Sequence, residues 1–228
     1  MSINLLNLSS QLSPDFSLKG VSFNLDAGQI LTLLGKSGSG KTSLLRCLAG
    51  LHPFTADKFD IPRPFGMVFQ SSNLFAHLTL EENVKLALVK TQKKSSGEAQ
   101  MICDQVLEQV QLSHRSKSKP HQLSGGEQQR GAIARTLALK PAVIFYDEPT
   151  SALDPELVNE VFVIMEQLKL QGLMQIVVSH ETRIVKKISD YVGVMNKGEL
   201  KWFGALSELT LQMPTMEQDE QKYLQLFT

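Results

Sequence analysis

A glycine-rich loop between a short apolar run and a helical pattern constrains the fold of this chain more than any other feature. Residues 29–34 predict a buried strand, and residues 41–49 carry apolar side chains at helical spacing before Gly50. The residues between match the phosphate-loop pattern G-x-x-x-x-G-K-[ST] in full: Gly35, Lys36, Ser37, Gly38, Ser39, Gly40, Lys41 and Thr42. A strand, this loop and a helix, in that order, form a unit that wraps a triphosphate.

A second acidic element narrows the chemistry. The apolar run Ala142 to Tyr146 predicts a strand buried on both faces of a parallel sheet, and Asp147 ends it. A carboxylate there can hold Mg²⁺ together with the Thr42 hydroxyl, while Lys41 meets the β and γ phosphates of ATP. Glu148 follows at once and can orient, or accept a proton from, the water that attacks the γ phosphate.

Composition excludes several other classes of protein. The 23 basic and 23 acidic residues among 228 cancel, which disfavours a nucleic-acid-binding protein. Cys47 and Cys103 are far apart and lack histidines at metal spacing, so we expect neither a disulfide framework nor a zinc site. We also expect no secretory signal and no membrane span, so that membrane association depends on a separate partner.

The rest of the chain alternates strand and helix signals. Thr79 and Glu82 form a capping box before a helix, and the region 73–138 is mainly helical with a lysine-rich loop at 90–97. Asp154 and Pro155 predict the start of a further helix, which Gly172 ends. Strands are predicted at 66–69 and 175–179, two more between 191 and 203, and a short helical tail beyond them.

Two segments carry a family resemblance. Residues 123–130, LSGGEQQR, resemble the signature sequence of ABC (ATP-binding cassette) proteins, and residues 147–154, DEPTSALD, resemble their Walker B motif and D-loop. Gln70, after a predicted strand, looks like the Q-loop glutamine, and His180, in VVSHE, looks like the switch histidine. The chain is therefore identified as similar to ABC transporter ATP-binding subunits from about residue 21 to residue 204.

The resemblance implies an α/β fold in one domain spanning 1–228. Its P-loop NTPase core has a mainly parallel sheet with an N-terminal antiparallel β part (1–72 and 139–228), and a helical subdomain bearing the signature is inserted at 73–138. It also implies a head-to-tail dimer in which the phosphate loop of one copy faces Ser124, Gly125 and Gly126 of the other. Glu148, His180, Gln70 and Lys41 would be catalytic, and Thr42, Gln70 and Asp147 would hold Mg²⁺.

The implied partners are membrane permease subunits, a second copy of the chain and a substrate-binding protein, with the chain at the cytoplasmic face of the membrane. The segments NLFAHLT at 73–79 and SALDPELV at 151–158 look like those of polar amino-acid importer ATPases. Two alternatives stay open: a soluble ABC ATPase acting on ribosomes or DNA, and a transporter for another substrate or direction. A subunit unable to hydrolyse ATP is disfavoured because Lys41, Asp147, Glu148 and His180 are all present.

The sequence departs from the family pattern in two places. Leu12 stands where an aromatic residue commonly stacks on adenine, which predicts comparable affinity for ATP and GTP, and Phe16 is a possible substitute. Gln70 lies only 29 positions after Lys41, so the antiparallel strands that often fill this gap are expected to be trimmed.

Overall fold

A computed structural model of the protein describes residues 1–151, 153–179 and 182–208. The strands are β1 (Ser2–Ser13), β2 (Phe16–Asp26), β3 (Ile30–Leu34), β4 (Lys58–Asp60), β5 (Phe65–Val68), β6 (Val143–Asp147), β7 (Met174–Val178), β8 (Tyr191–Asn196) and β9 (Glu199–Ala205). The helices are α1 (Lys41–Leu48), α2 (Leu80–Lys90), α3 (Ser96–Gln109), α4 (Gly125–Leu137), α5 (Pro155–Leu170) and α6 (Thr182–Ile188). The predicted C-terminal tail lies largely outside the described residues.

The strands form two sheets. The larger has the order β5-β6-β7-β3-β8-β9, in which all pairs are parallel except the β8–β9 hairpin. The smaller is antiparallel, with the order β2-β1-β4. This is the predicted α/β architecture. Because the carboxyl ends of parallel strands meet at one edge, the residues that follow β3, β5, β6 and β7 gather there.

Local sequence signals explain where several of the helices begin. The capping box of Thr79 and Glu82 starts α2, and Ser95 with Glu98 starts α3 in the same way. Asp154 is the N-cap residue of α5, as predicted, but its side chain makes no capping hydrogen bond. The segment between α1 and β5 contributes only the three-residue β4, in keeping with the short spacing before Gln70.

Two large hydrophobic clusters lie on opposite faces of the parallel sheet. One joins the sheet to α2–α5, and the other joins it to α1 and the antiparallel sheet. The strands between them are buried on both faces, which accounts for the non-alternating apolar runs of β3, β6 and β7. Within the described part of the chain, no helix is both long and apolar enough to cross a membrane.

Candidate functional site

The turn between β8 and β9 packs against the phosphate loop and supports it. Gly35 has φ of 145°, and a Cβ there would lie 2.2 Å from the Met195 carbonyl oxygen, so no side chain fits. The Gly198 amide donates to the Ser39 carbonyl at 2.9 Å, while the Lys19 amide donates to the Gly198 carbonyl at 2.9 Å. The turn thereby fixes the loop against the start of β2, a support that the sequence analysis missed.

Lys41 is buried at the first position of α1. Its ammonium group donates hydrogen bonds to the carbonyl oxygens of Gly35 at 2.8 Å and Lys36 at 2.9 Å. Burial lowers the pKa of Lys41, and the negative charges of Glu148 and Asp147 partly oppose that effect. The loop carbonyls thus hold a cation at the helix N-terminus, where a phosphate can replace one of them as the acceptor.

Thr42 and Asp147 come together from different parts of the chain. The Thr42 hydroxyl donates to Asp147 Oδ1 at 2.6 Å, joining the first turn of α1 to the end of β6. A hydroxyl and a carboxylate are the hard oxygen donors that Mg²⁺ prefers, so the pair fits this ion. The described residues contain no cluster of three or more His, Cys, Asp and Glu side chains suited to a metal.

Ionisation of the buried Asp147 carboxyl is unfavourable in the folded protein. Burial raises the pKa of this carboxyl, more than the hydrogen bond from Thr42 and the charges of Arg46 and Lys41 lower it. A group whose folded pKa is raised contributes stability below its unfolded pKa and loses it as pH rises through the folded value. At neutral pH the ionised carboxylate is therefore a net cost to folding.

Asp147→Asn should raise the melting temperature of the ligand-free protein at pH 7, because it removes the buried charge and keeps an acceptor for Thr42. The same change should reduce the further rise produced by ATP with Mg²⁺. Thermal unfolding with and without nucleotide measures both effects. Asp60→Asn, at an exposed position of β4 where the carboxylate forms a surface ion pair with Lys58, is the control and should alter neither. A lower melting temperature for ligand-free Asp147→Asn would contradict this reading of the site.

Glu148 lies beside the phosphate loop in a strained backbone conformation. Its φ is 51°, a region that costs a non-glycine residue about 1 kcal/mol or more. Its amide donates to the Val178 carbonyl at 3.0 Å, and its own carbonyl accepts from the Ser151 hydroxyl at 3.1 Å. These bonds hold Glu148 at the wall of a hollow of about 330 Å³, which Lys41 and Thr42 also line.

A second hollow, of about 660 Å³, extends from the phosphate loop toward the β1–β2 turn. Phe16 lines both hollows, and its Cζ lies 3.1 Å from where a Cβ on residue 40 would stand. Leu12 lines neither; it packs against the core cluster beneath the antiparallel sheet. The structure thus brings Phe16, and not Leu12, to the loop. Ser39 Oγ, in the same loop, is buried without a hydrogen-bond partner among the described residues, which suits a site for a polar ligand.

The signature residues form the start of α4. Ser124 is the N-cap: its hydroxyl accepts from the Glu127 amide at 3.2 Å, and its own amide donates to the Glu127 carboxylate at 2.8 Å. Ser124 and Gly125 are exposed, whereas Gly126 is buried against Leu157. The two hollows at the phosphate loop are lined by neither Ser124 nor Gly125 nor Gly126. One chain therefore presents its loop and its signature as separate surfaces.

Two predicted site residues, Gln70 and His180, follow strands β5 and β7. Gln70 is exposed two residues beyond Val68, whose register partner on β6 is Tyr146, so Gln70 follows its strand at the same level as Glu148. His180 lies outside the described residues, two positions after the end of β7.

Comparisons with known proteins agree with this geometry. The family model described as ABC transporter matches residues 18–151. The glutamine transport ATP-binding protein GlnQ of Escherichia coli is 36% identical over 233 residues, covering 96% of this chain and 97% of that protein. The glutamate transport ATP-binding protein GluA of Corynebacterium glutamicum is 40% identical over 197 residues, covering 80% and 81%.

A solved structure shows the same fold. It is an ATP-binding cassette in a dimeric, post-hydrolysis state bound to ADP and phosphate, 28% identical, with a TM-score of 0.74 over 90% of this chain and 99% of that one. The loop, the Thr42–Asp147 pair and the signature are thus found in a chain that aligns with these proteins over most of its length. The chain belongs to the ABC transporter family and is an ATP-binding, ATP-hydrolysing subunit of such a transporter.

Proposed function

We propose that two copies of this chain bind two ATP molecules head to tail and drive the uptake of a polar amino acid through membrane permease subunits. The observation that carries the shared site is the separation within one chain of the phosphate loop from the exposed signature at Ser124. Each surface suits an anion, the loop through its amides and Lys41, the signature through the start of α4. A second copy supplies the missing half of each site.

The residues have separate roles in this proposal. The loop from Gly35 to Thr42 holds the triphosphate, and Lys41 neutralises its charge. Thr42, Asp147 and Gln70 hold Mg²⁺, which, when bound, offsets the negative charge on the phosphate oxygens. Glu148 orients the attacking water and takes its proton, because it faces the same hollow as Lys41. His180 is assigned beside it from the family resemblance alone.

Coupling to transport is assigned to the helical segment. We propose that residues 73–138 form the subdomain that follows Gln70 and meets the permease, with the rest of the chain as the catalytic core. The chain would then lie peripherally at the cytoplasmic face of the membrane and act with a substrate-binding protein. The relatives named for glutamine and glutamate transport support a polar amino-acid substrate.

Uptake measurements test this assignment. A strain lacking the chain should lose ATP-dependent accumulation of labelled glutamine, glutamate or another polar amino acid. The parental chain should restore uptake and Glu148→Gln should not. Affinity purification of the tagged chain should recover permease subunits. Recovery of ribosomes or DNA, with unchanged uptake of every amino acid tested, would instead support the soluble ABC ATPase.

Phe16 is proposed as the residue that stacks on adenine, with Leu12 in a structural role. Phe16→Ala should weaken ATP binding about tenfold, as expected for one lost aromatic contact of about 1–1.5 kcal/mol. Leu12→Ala should change ATP affinity by less than about twofold, since Leu12, unlike Phe16, lines neither hollow at the phosphate loop. Calorimetric titration of each variant with ATP and GTP measures the difference. A larger loss for Leu12→Ala would restore the assignment of Leu12 to the adenine.

A further inference from the structure

Three helices of the inserted segment begin with a capping box, and the one that carries the signature differs from the others. In α2, α3 and α4 a glutamate at the third position accepts from the amide of the N-cap residue. In α4 the other oxygen of that glutamate, Glu127 Oε1, accepts from Arg115 Nε at 2.9 Å. In α3 the matching cation, Lys94, lies 3.8 Å from Glu98 and is more loosely paired.

The glutamate of a capping box has opposite effects on the helix and on a bound anion. A negative charge in the first turn stabilises a helix through its dipole. The same charge opposes binding of a phosphate at that helix terminus, because both occupy its positive end. The proposed function places the γ phosphate of the other copy's ATP at the start of α4, so the charge of Glu127 works against closure of the dimer.

Glu127 is charged and only 13% exposed. Burial acts to raise the pKa of its carboxyl, but hydrogen bonds from the Ser124 amide and the Arg115 guanidinium, together with the charges of Arg115 and Arg130, outweigh that effect and lower the pKa. The carboxylate is thus largely covered, whereas its partner Arg115 is 42% exposed, so the pair acts on a nearby phosphate through a partly solvated surface.

The backbone around Arg115 is fixed by hydrogen bonds that keep its side chain beside Glu127. Its backbone belongs to a short turn, in which the Arg115 amide donates to the Leu112 carbonyl and the Arg115 carbonyl accepts from the Ser118 amide, both at 2.9 Å. The same segment is tied to α2, since the Leu80 amide donates to the Ser118 carbonyl at 2.8 Å. The guanidinium is thus placed beside Glu127 by a supported backbone.

We propose that Arg115 is a positioning residue for the signature half of the ATP site, and that it permits ATP-driven closure by neutralising and orienting Glu127 beneath Ser124. This inference rests on the proposed head-to-tail dimer. It assigns a role to a residue outside the signature and outside the phosphate loop. Loss of Arg115 should weaken ATP-driven dimer formation, because the charge of Glu127 is then uncompensated. Loss of the Glu127 charge should strengthen it, because that charge opposes the phosphate.

The test measures the ATP concentration that gives half-maximal dimer, by light scattering, with every variant built on Glu148→Gln so that ATP is not consumed. Arg115→Ala should raise this concentration about tenfold, within the range of a charge at a helix terminus. Glu127→Gln should lower this ATP concentration, because it removes the negative charge beside the phosphate. The glutamine side chain can still accept from the Ser124 amide. The double variant Arg115→Ala with Glu127→Gln should return toward the Glu148→Gln parent, and Arg115→Lys should recover part of the loss.

Lys94→Ala is the matched control, since it removes the cation from the capping box of α3. It should leave the ATP dependence of the dimer unchanged. ATP affinity of the monomer and melting temperature, measured for every variant, separate closure from folding. If the Glu148→Gln parent forms no dimer with ATP, the proposed function fails and this inference fails with it. If the parent dimerises but Arg115→Ala matches Lys94→Ala, or Glu127→Gln does not rescue Arg115→Ala, only this inference is overturned.

Discussion

Glu148→Gln is expected to abolish ATP turnover while ATP binding stays intact and the ATP-bound dimer accumulates. Glu148 lines the same hollow as Lys41 and Thr42, and its backbone is fixed by bonds to Val178 and Ser151. Loss of a positioned general base costs about 10²–10⁴ in rate. The amide has nearly the same shape, so the loop and the Thr42–Asp147 pair should keep their geometry.

Phosphate release and calorimetric ATP titration, with light scattering for the dimer, measure these effects. Glu108→Gln, on an exposed position of α3, is the matched control and should retain full turnover. Turnover of Glu148→Gln within about threefold of the parent would remove Glu148 from the role of base.

Lys41→Ala is expected to impair ATP binding itself, the step that precedes hydrolysis. The ammonium group is the buried cation of the phosphate loop, and the alanine variant leaves the exposed Lys36 as the loop's remaining cation. Loss of a charge-assisted hydrogen bond in a buried site costs about 3 kcal/mol, or roughly 100-fold in affinity for ATP. No ATP-bound dimer should then form at concentrations that saturate the parent.

Titration with ATP tests this variant directly, and Lys90→Ala, at the exposed end of α2, is its control. Parental affinity combined with lost turnover would instead place Lys41 in the chemical step alone. Binding without turnover for Glu148→Gln and loss of binding for Lys41→Ala would separate the two roles by experiment.

The phosphate-binding end of the site could be predicted from the sequence because its signals are local. The loop follows one buried strand, and Asp147 ends another, so a parallel sheet must bring both to the same edge. The 2.6 Å contact between Thr42 and Asp147 follows from that topology. The capping boxes of α2 and α4 are equally local, each being set by two residues three positions apart.

The adenine end could not be predicted in the same way. Which residue of the β1–β2 hairpin reaches the loop depends on strand register, and this pair carries irregularities between Leu5 and Leu8, Leu8 and Ser10, and Gln11 and Ser13. Alignment with the family pattern placed Leu12 at the adenine, with Phe16 as a possible substitute, and the structure places Phe16 beside Gly40. The Gly198 support and the Arg115–Glu127 pair were missed because each joins segments that no local pattern relates.

The central claim is that the phosphate loop of one copy and the signature of another close on the same ATP. Ser37 and Ser124 are exposed on these two surfaces, and the native Cys47 and Cys103 are buried and unavailable to an oxidant. Ser37→Cys and Ser124→Cys chains, each with Glu148→Gln, can be mixed and oxidised with and without ATP. The account predicts a disulfide-linked heterodimer that forms only with ATP. A mixture that gives no ATP-dependent cross-link, although both variants bind ATP, would contradict it.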